Sequence, residues 1–223
     1  MFFEGILNPY GDRPKFDNHR TELDYHLLKF FNEDEIKILF NPIEFEFRVD
    51  VIIIDRPEFD FNILITSGMS VLEMTNAAGI PDWDQHKFAE IVCVVPEIIN
   101  SESLQPEGKF NWVANMLRQT ALFPHYEKTW LGIGHSVQAN MQGEPYSSDT
   151  EFMGGVFLPS LYFESNFLII PAGPNIINLF TFFPLYREEL DFLIQNGYNE
   201  FIDLLIAIGQ GAMFIPERNN MLS

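Results

Sequence analysis

The chain has 223 residues, of which 47% are hydrophobic and 23 are phenylalanine, so it has ample material for a core and its body is not disordered. Acidic residues number 32 against 13 Lys and Arg, which gives a formal net charge of −19. Such a surface repels phosphate backbones, which argues against direct nucleic-acid binding and favours a basic protein partner. The acidity is also explained by the solubility of a Phe-rich chain, and both explanations stay open at this point.

The sequence also restricts the compartment and the class of site. It contains no apolar run near the ~20 residues that a membrane span requires, and its first residues do not form a signal peptide. Its one cysteine, Cys93, excludes an internal disulfide and a cysteine-rich metal site. We therefore expect a soluble cytoplasmic protein with no cofactor, and Cys93 is expected to be a core residue.

The first half of the chain predicts a helix followed by strands. Hydrophobic spacing predicts the helix at residues 17–31. Residues 43–54 alternate between apolar and charged side chains, which is typical of a half-buried strand with one face in water. Residues 61–68 predict its hairpin partner, and residues 88–95, apolar at nearly every position, predict a central strand covered on both faces.

The stretch 110–136 organises the middle of the chain. It begins with an amphipathic helix, which we expect to break at Phe123-Pro124. Residues 129–137 then predict a strand that carries Gly132 and Gly134 on one face.

The last third of the chain predicts three strands and two helices. The strands are expected at 151–158, 167–171 and 177–183, and the helices at 185–196 and 199–208. Pro184 is expected to close the third strand, and a glycine follows each helix. With no repeat or linker to divide it, the chain 1–223 is predicted to be a single α+β domain with a mixed, largely antiparallel β-sheet flanked by helices.

Five passages carry a family resemblance. They are ITSGMS (65–70), FAEIVCVVP (88–96), LFPHYEKTWLGIGHSV (122–137), EPYSSDTEFMGGVFLP (144–159) and FFPLYREELDFLIQNG (182–197). None is diagnostic alone, but in this order the chain resembles the suppressor of fused family, specifically its bacterial single-domain members and the N-terminal domain of the animal protein.

The resemblance implies an α+β fold and a role in binding another protein rather than catalysis. The animal protein holds a transcription-factor peptide as an added strand between two domains, and this chain has length for the first of those domains alone. Bacterial relatives are associated with toxin systems in which a small acidic protein neutralises a toxin domain. The resemblance therefore favours an immunity or antitoxin-like protein that binds a basic toxin stoichiometrically.

The residue pattern leaves a second function open. His125 and His135 could converge with Asp149, which would give a hydrolase with a base and an orienting carboxylate. The alternative is that both histidines bridge strand ends and that Trp130 lies in the core. No sequence pattern supports a metal site. A scaffold that dimerises through its terminal helices is a third possibility, because the sequence does not determine the oligomeric state.

We expect the partner-binding surface near the glycine-rich turns and the loop of the 140s. Its predicted residues are Gly68, Met69, His125, Trp130, His135, Glu144 and Asp149. Arg187 is one of few basic residues in this part of the chain, and we expect an internal ion pair for it.

Overall fold

The computed structural model describes residues 18–41, 48–56 and 58–223. Its helices are α1 (Asn18–Leu27), α2 (Asn111–Tyr126), α3 (Ser165–Leu168), α4 (Arg187–Asn196) and α5 (Tyr198–Ile208). Its strands are β1 (Ile36–Leu39), β2 (Asp50–Ile54), β3 (Phe61–Ser67), β4 (Ala89–Pro96), β5 (Ser136–Gln138), β6 (Gly154–Leu158), β7 (Ile169–Ala172) and β8 (Asn175–Leu185).

The strands form one mixed sheet. Their order is β1-β2-β3-β4-β8-β6-β5, and β7 pairs with β8 beside this path. The pair of β4 with β8 is parallel, whereas the other pairs are antiparallel. The prediction of a mixed, largely antiparallel sheet is confirmed, as are the hairpin of β2 with β3 and the central position of β4.

Helices cover both faces of the sheet. On one face α2 packs against side chains that include Ile53, Cys93 and Phe182. On the opposite face α1 covers the end of the sheet that contains Ile52 and Ile63, and α4 and α5 cover the end that contains Phe183. Because the central strands are enclosed on both faces, they read as continuous apolar runs.

The prediction of a half-buried strand at 43–54 is wrong for its described part. Residues 42–47 lie outside the described residues, but β2 is buried at every position. Asp50, expected on the wet face, has 0% exposure and accepts hydrogen bonds from Arg20 at 2.9 Å and Arg48 at 3.0 Å. Two guanidinium groups therefore supply the contacts that water was expected to supply. The sequence analysis also missed β1, which pairs with β2 at one edge of the sheet.

The predicted break in α2 comes too early. The helix includes Pro124 and ends at Tyr126, because the Glu127 N–H still reaches the Phe123 carbonyl oxygen at 3.0 Å. Pro124 has no N–H to donate to the Thr120 carbonyl oxygen, but its φ is compatible with a helix, and the helix continues for two more residues. The strand expected at 129–137 is reduced to β5, since Gly134 has φ +87° and the chain turns before Ser136.

Strand β8 continues through Pro184 instead of ending there. Its pairing with β4 stops at Thr181, so the next residues of β8 lie on an open edge where proline is tolerated. Beyond Thr181 the strands β4 and β8 are therefore no longer paired, and we call this gap the split between β4 and β8. The C-terminal segment fills the split, because the Phe214 N–H donates to the Val94 carbonyl at 2.8 Å and the Phe214 ring is fully buried.

Other predictions of the sequence analysis agree with the structure. Helices α4 and α5 are followed by Gly197 and Gly209, both with positive φ. Cys93 is buried, and burial raises the pKa of its thiol to about 12, so it is an inert core residue. Among the described helices, none has the length and apolarity to cross a membrane.

Candidate functional site

The turn after β3 binds a buried carboxylate of the same chain. The backbone N–H groups of Gly68 and Ser70 donate to Glu90 Oε1 at 2.9 and 3.0 Å, and that of Met69 donates to Oε2 at 3.2 Å. The hydroxyls of Thr66 and Ser70 add bonds of 2.6 and 2.7 Å. Consecutive N–H groups that converge in this way form an anion site, and Glu90 occupies it.

This arrangement removes Gly68 and Met69 from the surface expected for a partner. Both are buried, and the Met69 residue is 1% exposed. Gly68 has φ +137°, and a Cβ atom there would collide with the Arg48 carbonyl oxygen, so the turn requires glycine. Burial raises the pKa of Glu90, and the hydrogen bonds from Thr66, Gly68 and Ser70 oppose that shift.

His125 supports the same turn from α2. Its Nε2 lies 2.9 Å from the Met69 carbonyl oxygen. Because a carbonyl can only accept a hydrogen bond, Nε2 carries the proton. Burial lowers the pKa of His125, which keeps the imidazole neutral. The geometry of this bond is that of a histidine that joins a helix end to a turn.

Trp130 and His135 form an aromatic cluster in the segment that follows α2. Their ring centroids are 4.3 Å apart, and His135 Nδ1 lies 3.2 Å from the Trp130 carbonyl oxygen. The Trp130 ring also meets Trp83 edge to face at 6.3 Å. A Cβ atom at Gly132 would lie 2.7 Å from this ring, which explains glycine at that position. Trp130 and His135 are both partly buried, so only part of each side chain is accessible to a partner.

The loop of the 140s, residues 139–149, is held by hydrogen bonds. Asn140 and Glu144 exchange two bonds, of 2.9 and 3.0 Å, between the Asn140 side chain and the Glu144 backbone. Arg187 donates to the Gly143 carbonyl oxygen at 2.6 Å and forms no ion pair with the residues that the structure describes, so the ion pair predicted for it is not found among them. The Glu144 and Asp149 side chains are exposed, as a docking surface requires.

The structure places the three residues of the hydrolase hypothesis in separate contacts. His125 bonds to Met69, His135 to Trp130, and Asp149 exchanges bonds with Ser147. Asp149 lines a groove along α2 whose lining includes neither histidine. Within residues 18–41, 48–56 and 58–223, no three His, Cys, Asp or Glu side chains are grouped to hold a metal ion.

The groove along α2 has a volume of about 750 Å³. Its floor is the outward face of the helix, including Asn111, Asn115 and Gln119, and the 140s loop forms one wall. Arg118 lies beneath it, 7% exposed, and donates to the Leu39 carbonyl at 3.0 Å. Burial lowers the pKa of Arg118 and the charge of Asp50 opposes this shift.

Sequence reasoning missed a second buried carboxylate, Glu189. Arg218 forms two bonds to it, of 2.6 and 2.5 Å, and a third to the Pro184 carbonyl at 2.8 Å. The backbone N–H groups of Tyr186 and Met221 complete the site at 3.0 and 2.8 Å. This ion pair between Glu189 and Arg218 was not predicted from the sequence.

Comparisons with known proteins agree on the fold. The family model described as suppressor of fused protein (SUFU) matches residues 46–219. A suppressor of fused homolog from Neisseria gonorrhoeae FA 1090 superposes with a TM-score of 0.60 at 15% identity, covering 92% of this chain and 97% of that one. The structure of the Sufu-Fu complex gives a TM-score of 0.60 at 9% identity, with coverages of 94% and 93%.

Drosophila Suppressor of Fused superposes with a TM-score of 0.52 at 10% identity, and the match covers 84% of this chain but 42% of that one. At these identities the structural likeness shows the fold alone. No match was found among curated proteins.

Proposed function

The chain belongs to the suppressor of fused family, and from that premise we propose that it is a non-enzymatic protein-binding domain, an immunity-like inhibitor that neutralises a basic toxin by stoichiometric binding. The name of the Sufu-Fu complex, a structure of the same fold, describes a protein assembly, which supports a protein partner for this chain. The net charge of −19 favours a basic one and accelerates the encounter.

The observation that carries the proposal is the acidic loop of the 140s. Glu144 and Asp149 expose their side chains in this loop, and Glu151 is exposed directly after it. The contacts of Asn140 and Arg187 hold the backbone of residues 140–144, and the Tyr146 N–H donates to the Phe152 carbonyl oxygen at 3.0 Å. A loop that is already ordered loses little conformational entropy when a partner binds, so its carboxylates are well suited to a basic surface.

We therefore restrict the predicted partner-binding surface to those of its residues that are exposed or partly exposed. Glu144 and Asp149 present carboxylates, and Trp130 and His135 contribute a partly exposed aromatic edge. Gly68, Met69 and His125 act from behind this surface, through the turn that binds Glu90.

The proposal is tested by an affinity pull-down of the tagged protein, with the neighbouring gene product of its host co-expressed, at low and at high salt. We expect a basic partner that is retained at low salt and weakened at high salt, because salt screens exposed charges. Retention should fall about tenfold in the double variant Glu144→Lys and Asp149→Lys.

A matched control keeps the net charge change but moves it across the molecule. Glu58 and Glu97 are exposed and line a cavity beside β1, at the opposite edge of the sheet from β5. The variant Glu58→Lys with Glu97→Lys should retain the partner as wild type does. Equal losses in both variants would mean that net charge alone attracts the partner, and unchanged binding in the first variant would refute the loop surface.

A further inference from the structure

A row of three carboxamides follows the exposed face of α2. Asn111, Asn115 and Gln119 are four residues apart and all line the groove. With a rise of about 1.5 Å per residue, neighbouring members are about 6 Å apart along the helix. In an extended peptide, backbone groups that point the same way recur every two residues, or about 6.6 Å. The row therefore matches the repeat of an extended chain.

The carboxamides are held in place by a chain of hydrogen bonds. Arg118 donates to Asn115 Oδ1 at 3.2 Å, and Asn115 Nδ2 donates to Asn111 Oδ1 at 2.9 Å. Asn111 Nδ2 then donates to the Leu104 carbonyl at 3.0 Å. This relay begins at a guanidinium that is itself 7% exposed, so the orientation of the side chains is set before any ligand binds.

Each carboxamide retains at least one hydrogen-bond donor and one acceptor for a peptide unit. A carboxamide has two N–H donors and two acceptor lone pairs. Asn111 and Asn115 each use one donor and one acceptor in the relay, which leaves one of each. The Gln119 side chain makes no hydrogen bond with any part of the chain that the structure describes. A free donor beside a free acceptor can bind the C=O and N–H groups of a peptide backbone.

The groove carries two exposed carboxylates. Glu127 and Asp149 both line it, both are exposed, and neither forms an ion pair within residues 18–41, 48–56 and 58–223. Lys109, which also lines it, is paired with Glu217 at 2.7 Å. The unpaired carboxylates therefore favour a basic side chain of the ligand.

We propose that this groove binds an extended peptide segment of a partner protein, whose backbone pairs with Asn111, Asn115 and Gln119 and whose basic side chain contacts Glu127 or Asp149. The proposal rests on the proposed function, since it gives the basic partner a second contact. The peptide runs along the row, which is inclined about 26° to the helix axis. A carbohydrate would also meet carboxamides and aromatic rings here, but it lacks the repeat that the row matches.

The test uses a blocked peptide, acetyl-Ser-Val-Ser-Val-Ser-Lys-amide, and NMR of the labelled protein. We expect saturable shifts in the side-chain NH₂ signals of Asn111, Asn115 and Gln119. The same peptide with alternate backbone nitrogens methylated should produce no saturable shift, because it lacks half of the N–H donors. Equal shifts with the methylated peptide would contradict backbone recognition, and equal saturable shifts with cellobiose would assign the groove to a carbohydrate.

Two variants locate the site. Gln119→Leu should raise the Kd of the peptide about fivefold, the size expected for one lost pair of hydrogen bonds. The control Gln195→Leu, at an exposed carboxamide on α4, should leave the Kd unchanged. Glu127→Gln with Asp149→Asn should raise the Kd about threefold for the lysine peptide and leave it unchanged when norleucine replaces lysine. Peptide binding that is indifferent to Gln119→Leu would overturn the proposal.

The groove and the proposed function can fail separately. A partner captured in the pull-down with equal yield by Gln119→Leu and wild type refutes the groove and leaves the acidic loop standing. Peptide binding without any captured partner refutes the inhibitor and leaves the groove standing.

Discussion

Glu90 and Glu189 are both carboxylates with 0% exposure, and the chain satisfies them in opposite ways. Glu90 accepts its hydrogen bonds from backbone N–H groups and hydroxyls, most of them within one turn. Glu189 accepts two bonds from the guanidinium of Arg218. The first site depends on local backbone geometry. The second depends mainly on one side chain far along the sequence, with the backbone N–H groups of Tyr186 and Met221 beside it. The two sites should therefore respond differently to the loss of one partner.

The largest effect is expected from Arg218→Met. This variant leaves the Glu189 carboxylate buried without its cation, which costs about 3–5 kcal/mol of the free energy of unfolding. Urea unfolding followed by circular dichroism measures the loss. The control Lys109→Met breaks the exposed pair with Glu217 and should be indistinguishable from wild type.

The ion pair should be partly replaceable by apolar residues. Adding Glu189→Leu to Arg218→Met removes the unpaired charge, and we expect a recovery of at least about 1 kcal/mol relative to the single variant. A double variant less stable than Arg218→Met alone would show that the N–H groups of Tyr186 and Met221, not the charge, dominate this site.

Glu90→Gln should have a smaller effect, about 1–3 kcal/mol in the same unfolding experiment. The amide retains the shape of the carboxylate but turns an NH₂ group toward one set of donors. Glu90→Leu removes both acceptors and leaves five donors unsatisfied, so it should be more damaging than Glu90→Gln. The opposite order of the two variants would mean that burial of the charge, instead of hydrogen bonding, limits the stability of this turn.

The smallest effect is a dependence on pH at the Glu90 turn. Burial lowers the pKa values of His125 and His26 from the ordinary 6.5. Below about pH 6.5 the unfolded chain therefore binds more protons at these two histidines than the folded chain does. Their contribution is therefore complete above about pH 6.5 and is lost as the pH falls through the folded pKa values. We expect a lower free energy of unfolding at pH 5.5 than at pH 7.5.

His125→Gln isolates the turn, because its amide can still donate to the Met69 carbonyl but does not titrate. The loss between the two pH values should be smaller in this variant. Burial raises the pKa of Glu90, which changes stability with the opposite sign, so the measured quantity is the difference between variant and wild type. An identical loss in both proteins would remove His125 from the pH response.

The two carboxylates also show what the sequence could predict. The run 88–95 indicated the central strand because a strand that is covered on both faces has apolar residues at nearly every position. A lone Glu90 inside that run was a usable signal, since a carboxylate in a covered strand must find donors. By contrast, Asp50 was assigned to the solvent-exposed face because alternation reports only the type of each residue. Its partner Arg20 lies in α1, 30 residues earlier, which the alternation does not indicate.

Ion-pair partners were harder to predict than strands. Nothing in the sequence links Glu189 to Arg218 across 29 residues, and Arg187 stood closer to the predicted helix start. The turn at Gly134 was read as extended because period-two patterns do not report a positive φ. Periodicity thus predicted the layers of the fold, and long-range polar contacts determined which of the predicted site residues are exposed.

The split between β4 and β8 has a consequence for the order of events during synthesis. A newly made chain can pair β1 to β4 early, because those hairpins connect neighbours in sequence. The far side of β4 stays incomplete until residues 214 and 218 leave the ribosome, since Phe214 bonds to Val94 and Arg218 neutralises Glu189. Until then the nascent chain presents an open strand edge, where a chaperone or a second nascent chain can pair.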